Sequence, residues 1–151
     1  MKKILITTTL LIVCCVSTMA QTQDPVSFTY SSKKINAVTY ELHISAAIHS
    51  GWHIYSQTTP AGGPSPTAIQ FSNNPLVVIT GKAKELGKLE QHTEKLFGVE
   101  VKQFSDKVDF VQIVTLKKPV KTNISGSIEF MVCNDHECLP PATKKFSISI
   151  K

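Results

Sequence analysis

Between Val38 and Ile48 the chain alternates apolar and polar residues with one break, at Ala47. Val38, Tyr40, Leu42, Ile44, Ala46 and Ile48 fall on one side of an extended backbone; Thr39, Glu41, His43 and Ser45 fall on the other. Strand side chains point to opposite faces in turn, whereas a helix returns to the same face only every 3.6 residues. This apolar set therefore reaches a single core only as a strand with one wet side. Such a strand needs partners and a covering layer, and the rest of the chain offers them. Val26-Ser27-Phe28-Thr29-Tyr30, Thr67 to Phe71, Leu76 to Thr80, Asp106 to Leu116, Ile124 to Val132 and Lys145 to Ile150 all read as strands. They alternate or are rich in Val, Ile and Phe, and turn residues separate them.

Between these segments the sequence is less regular. Ser31 to Lys34 reads as a polar turn, and Trp52-His53-Ile54-Tyr55 as an aromatic-rich strand start after Ser50-Gly51. Thr59 to Pro66 is dense in Pro and Gly, which excludes regular structure and leaves an ordered crossing loop or a flap. Lys82 to Lys95 has a Lys/Glu pattern with Leu86 and Leu89, but Gly81 and Gly87 count against a helix. Irregular chain with short edge strands is expected there. Leu96-Phe97-Gly98 is either a strand start or an exposed apolar tip. Many short strands without a long helix indicate an all-β protein, an antiparallel β-sandwich.

At 151 residues the chain suits one domain. Lys2 and Lys3, the apolar run from Ile4 to Val16 and the small residues around Thr18-Met19-Ala20 read as a cleaved signal peptide, residues 1–20. The run is too short to span a bilayer comfortably. Cys14 and Cys15 leave with it, and Val13 before Cys14 suits a lipoprotein anchor poorly. A mature domain over residues 21–151, without membrane insertion of its own, is expected in the periplasm. Losing Lys2 and Lys3 lowers the net charge from +5 to +3. Every basic residue is a lysine, and they are scattered, so the basic stripe and arginine forks of a nucleic-acid binder are missing.

Two cysteines then remain, in Cys133-Asn134-Asp135-His136-Glu137-Cys138-Leu139-Pro140-Pro141. An exported chain keeps such a pair where disulfides persist. As a permanent staple so short a loop contributes roughly 2 kcal/mol, the low end for disulfides. As a copper or zinc site, Cys133, His136 and Cys138, with His53 as a fourth ligand, lack the second ligand pair usual for zinc. As a redox couple the pair needs proximity, exposure and a rigid support, which a strand end running into a polar loop and Leu139-Pro140-Pro141 supplies. His136 favours a thiolate there, while Asp135 and Glu137 oppose it. No Ser/His/Asp arrangement, phosphate loop or carboxylate pair competes. Trp52 reads as a core residue, and His43, His49 and His92 as solvated side chains without partners.

Gly51-Trp52-His53-Ile54-Tyr55-Ser56, Gly63-Pro64-Ser65-Pro66-Thr67 and the Cys133 to Pro141 stretch, in that order, resemble the N-terminal domain of the thiol:disulfide interchange protein DsbD. The resemblance covers essentially the whole mature chain. It implies an immunoglobulin-like sandwich whose cysteine pair takes electrons from a thioredoxin-like donor and passes them to periplasmic disulfide proteins, with no cofactor or metal. It further implies that Cys138 joins partners in mixed disulfides and Cys133 resolves them. Leu96 and Phe97 match a cap over the disulfide, and Tyr55 matches an aromatic near the cysteines; His53 stands where the family has another aromatic. The family's best-known members have one more residue between the cysteines and continue into membrane and thioredoxin-like domains. Here the membrane electron donor and the thioredoxin-like partners are expected on separate chains. A non-catalytic binding module with a structural disulfide, or a metal carrier, is the alternative.

Overall fold

A computed structural model of the protein describes residues 24–151. The expected signal peptide, with Cys14 and Cys15, lies outside the described residues. Every element among the described residues is a strand, and no helix there is long and apolar enough to cross a membrane. The long alternating segment is β2 (Thr39–Ile48), flanked by β1 (Val26–Lys34) and β9 (Lys107–Leu116), both antiparallel to it. The far edge of β9 is shared by β5 (Val77–Ile79) and β6 (Lys84–Gly87), giving a five-stranded sheet. A second sheet has the order β12 (Ala142–Ile150), β10 (Thr122–Phe130), β4 (Ala68–Phe71). A third runs β11 (Val132–Cys133), β3 (His53–Tyr55), β8 (Val99–Phe104), β7 (Glu90–Glu94).

The three sheets share one core. Tyr40, Leu42, Ile44, Ala46 and Ile48 enter it from β2, the face that the alternation demands. Phe110, Val114 and Leu116 come from β9, Ile124, Ile128, Phe130, Phe146, Ile148 and Ile150 from the second sheet, and Ile54, Phe104 and Val132 from the third. Phe28 against Phe130 (centroids 5.0 Å) and Tyr30 against Phe146 (5.5 Å) close the seam where β1 meets the second sheet. Trp52 is half-buried against this core. At Gly126 a Cβ would lie 2.6 Å from Phe146 Cζ, so only glycine lets β12 and β4 flank β10 this closely.

Two local expectations change and one holds. Ser31 to Lys34 is not a turn: β1 continues through it, pairing Lys33 with Glu41 and Lys34 with Tyr40. The turn lies beyond, where Asn36 Oδ1 accepts the Val38 and Thr39 amides. Polar residues on the wet end of a strand look like a turn when only composition is read. The Lys82 to Lys95 zone holds the short edge strands expected there, β6 and β7. His43 is not simply solvated: its Nδ1 lies 2.7 Å from Asp109 Oδ2, while Ser45 donates to Asp109 Oδ1 at 2.8 Å, tying β2 to β9 on their outer face.

Candidate functional site around the Cys133-Cys138 disulfide

The third sheet has two differently occupied faces, and the alternation of its short strands creates them. Val132, Ile54 and Phe104 point into the main core. Their neighbours Cys133, Tyr55 and Val101 point the other way and form a second small cluster, packed against Val99, Met131 and Cys138. The disulfide thus sits on the outer face of a sheet whose inner face is anchored.

Cys133 and Cys138 are bonded, with Cα atoms 4.0 Å apart across a single antiparallel bridge. Asn134 makes the turn between them: its Oδ1 accepts the amides of His136 (2.8 Å) and Glu137 (2.9 Å), an Asx arrangement that lets a short polar side chain replace backbone partners. The Asn134 amide donates to the Glu137 carbonyl, and the Leu139 amide to that of Val132. The two sulfurs are unequal. Cys133 is fully buried, whereas Cys138 is half-buried at the surface. Asp135, His136 and Glu137 are exposed in the turn, and the His136 ring makes no hydrogen bond among the described residues.

His53 faces Cys133 directly across β3 and β11. Its Nε2 lies 3.1 Å from Tyr55 Oη and 3.5 Å from Glu94 Oε2, and Tyr55 Oη donates to Glu94 Oε2 at 3.1 Å. All three side chains are buried. Burial lowers the proton affinity of His53; the Glu94 carboxylate raises it, His92 lowers it and Asp135 raises it. Burial, with Glu94 beside it, pushes the Tyr55 phenol far above its usual range, so it stays a hydrogen-bond donor. The His92 ring lies edge-on to His53, centroids 6.4 Å apart. Gln103 Oε1, on the same face, is a buried side-chain oxygen without a partner among the described residues.

Glu94 also holds the neighbouring turn. Its carbonyl accepts the Phe97 (3.3 Å) and Gly98 (2.7 Å) amides, and its Oε1 accepts that of Leu96 (3.4 Å). Gly98, at φ 66°, completes the turn in the left-handed region that favours glycine. Leu96 and Phe97 are therefore the tip of the β7–β8 hairpin, 50% and 38% exposed, and not a strand start. The Pro-rich loop is ordered against this hairpin and β3: Thr59 Oγ1 donates to the Lys102 carbonyl of β8, Thr67 Oγ1 to the Tyr55 carbonyl of β3, and Gly63 packs so closely that a Cβ would meet Val99 Cγ2 at 2.5 Å.

Of the residues singled out from the sequence, Cys133, Cys138, Tyr55 and His53 come together, Leu96 and Phe97 lie on the turn tethered to them through Glu94, and His136 stands apart on the surface. Glu94 and Gln103 were not foreseen. They sit in polar stretches where nothing distinguishes a buried polar side chain from a solvated one, and only the β7–β8 pairing turns them inward; His92 is exposed, as expected, with its ring edge-on to His53. Among the described residues no group of three His, Cys, Asp or Glu is placed to hold a metal ion.

The model of the family "Thiol:disulfide interchange protein DsbD, N-terminal" matches residues 18–150. Among solved structures, the DsbD N-terminal domain of Neisseria meningitidis, in its complex with the PilB N-terminal domain, shares the fold at TM-score 0.53 and 11% identity, over 85% of this chain and 86% of that one. That domain in its reduced form matches at TM-score 0.43 and 13% identity, over 81% and 84%. The N-terminal periplasmic domain of ScsB from Proteus mirabilis matches at TM-score 0.49 and 14% identity; 83% of this chain corresponds to 44% of that one. No curated protein matches the sequence. The shared fold is the immunoglobulin-like sandwich expected from the strand pattern and the motifs.

Proposed function

The chain belongs to the family of DsbD N-terminal domains, and on that footing we propose that it carries out thiol-disulfide exchange outside the cytoplasm. The observation that carries this reading is the inequality of the two sulfurs, Cys133 fully buried and Cys138 at the surface of an otherwise rigid sheet. Exchange proceeds by attack of a thiolate on one sulfur of a disulfide, so the accessible sulfur takes the partner and the buried one leaves.

In the proposed cycle a donor thiolate attacks Cys138, Cys133 departs with the electron pair and is protonated, and the donor's second thiol releases Cys138. The reduced pair then attacks a partner's disulfide through Cys138, and Cys133 resolves the mixed disulfide. Leu96 and Phe97 act as the lid, Tyr55 and His53 as its support, and His136 as a polar side chain at the rim. The donors are thioredoxin-like proteins fed by a membrane electron donor, and the acceptors are periplasmic disulfide proteins. The complex of the Neisseria domain with the PilB domain supports protein partners of this kind. Export rests on the signal peptide read at residues 1–20.

The test is the reduction potential of Cys133-Cys138 in mature protein equilibrated with thiol buffers. A value well above about −300 mV is expected of an exchange couple. A lower one marks a resistant staple and transfers the reading to a binding module.

A further inference from the structure

Resting on the exchange reading, we propose that His53 is the base that takes the proton of Cys133 when this buried thiol attacks the mixed disulfide at Cys138. Only a thiolate attacks, yet Cys133 is fully buried in a cluster that already holds the Glu94 carboxylate. Lost hydration and a like charge both oppose a free thiolate there. The proton must therefore pass to a neighbour as the sulfur–sulfur bond forms.

The groups facing His53 narrow the choice. Tyr55, from the same strand, already donates to Glu94 and holds its proton far too tightly to exchange it. Glu94, from β7, is engaged by Tyr55 and the Leu96 amide. His92, also on β7, lies edge-on at 6.4 Å, and Asp135 stands in the exposed turn. His53 alone is placed directly opposite Cys133; side chains so paired have Cβ atoms roughly 5 Å apart. Because Tyr55 donates to Glu94, its oxygen is left to accept from His53, which puts a hydrogen on Nε2 and leaves Nδ1 open. Nδ1 makes no hydrogen bond among the described residues. Burial keeps the ring neutral at neutral pH, the form that accepts a proton, and Glu94 stands behind it to stabilise the imidazolium once formed.

The step balances. Cys133 gives its proton to His53 Nδ1, the Cys133–Cys138 bond forms, and the bond from Cys138 to the partner's sulfur breaks. The partner leaves as a thiolate, reduced, and takes a proton from water, to which His53 returns its own. In the reverse direction the imidazolium protonates Cys133 as it leaves.

The reaction of reduced mature protein with 5,5′-dithiobis(2-nitrobenzoate) separates the events. The first thionitrobenzoate is released by Cys138, and the second by Cys133 resolving the mixed disulfide. This leaving group needs no proton, so the second phase reports only on the nucleophile. In the wild type the second rate is expected to climb through the His53 titration, below its ordinary value of 6.5, and then to level off. In His53→Phe the ratio of second to first rate at pH 7 should fall roughly a hundredfold, the lower end for general bases. The second rate of the variant should then rise about tenfold per pH unit, following hydroxide. Equal ratios and parallel profiles in the two proteins overturn the proposal while exchange stands. If His53→Phe fails to fold, a wild-type second phase without levelling near neutral pH overturns it as well. A pair that thiol buffers cannot open overturns the exchange reading first, and this proposal with it.

Discussion

Tyr55→Phe tests the buried chain from His53 to the hairpin tip. The substitution keeps the ring against Val101 and Cys133, so no cavity opens, and it removes only the hydroxyl. That hydroxyl donates to the Glu94 carboxylate at 3.1 Å and sits 3.1 Å from His53 Nε2. A hydrogen bond to a charged group contributes about 1.5–3 kcal/mol, and leaving a buried acceptor bare incurs the desolvation of that group. His53 Nε2 is already 3.5 Å from Glu94 Oε2 and can close part of the gap. The net loss is therefore put at about 1–2 kcal/mol. Urea unfolding of the oxidised protein reads it as a midpoint lowered by roughly 0.5–1 M at unchanged slope. A double-mutant cycle with Glu94→Gln should return a coupling of about 1 kcal/mol. A midpoint within 0.2 M of wild type, or effects that simply add, would mean the three side chains do not act as a unit.

Other consequences follow from the same structure. The depressed His53 pKa means that the unfolded chain binds more protons than the folded one just below pH 6.5. The associated stability is present above that pH and is lost as pH falls toward the folded value; urea midpoints between pH 5 and 7 should show the decline, and His53→Phe should flatten it. In the reduced protein, iodoacetamide should alkylate Cys138 at least about tenfold faster than Cys133, because reactivity follows exposure and thiolate access. Peptide mass analysis at short times reads this, and equal labelling would contradict the assigned roles. Opening the disulfide should lower stability by only about 2 kcal/mol, so the reduced domain stays folded; loss of its near-ultraviolet dichroism on reduction would refute this. Gly126→Ala should cost about 1–3 kcal/mol, since the added methyl meets Phe146 and the Gln70 carbonyl, and an unchanged melting temperature would count against the close packing of β4, β10 and β12.

Much of this molecule is written in local pattern. Period-two alternation from Tyr40 to Ile48 marks which side of β2 is core, because a strand has only two faces and one must avoid water. Glycine and proline mark the chain's reversals by what they forbid. The Cys133 to Pro141 stretch marks where a disulfide can close, since it places two thiols across a four-residue polar turn. Tertiary structure decides what pattern leaves ambiguous. Whether Ser31 to Lys34 turns or continues depends on the partner strand that accepts its amides. Whether Glu94 is wet depends on β7 pairing with β8, which turns this end of a polar strand toward Tyr55 and His53. The unequal burial of Cys133 and Cys138 arises the same way: one cysteine ends a strand inside a sheet, and the other closes a turn outside it. Local pattern dictates what a residue can be, whereas burial and partnership come from residues far away in the chain and exist only once the sheets have assembled.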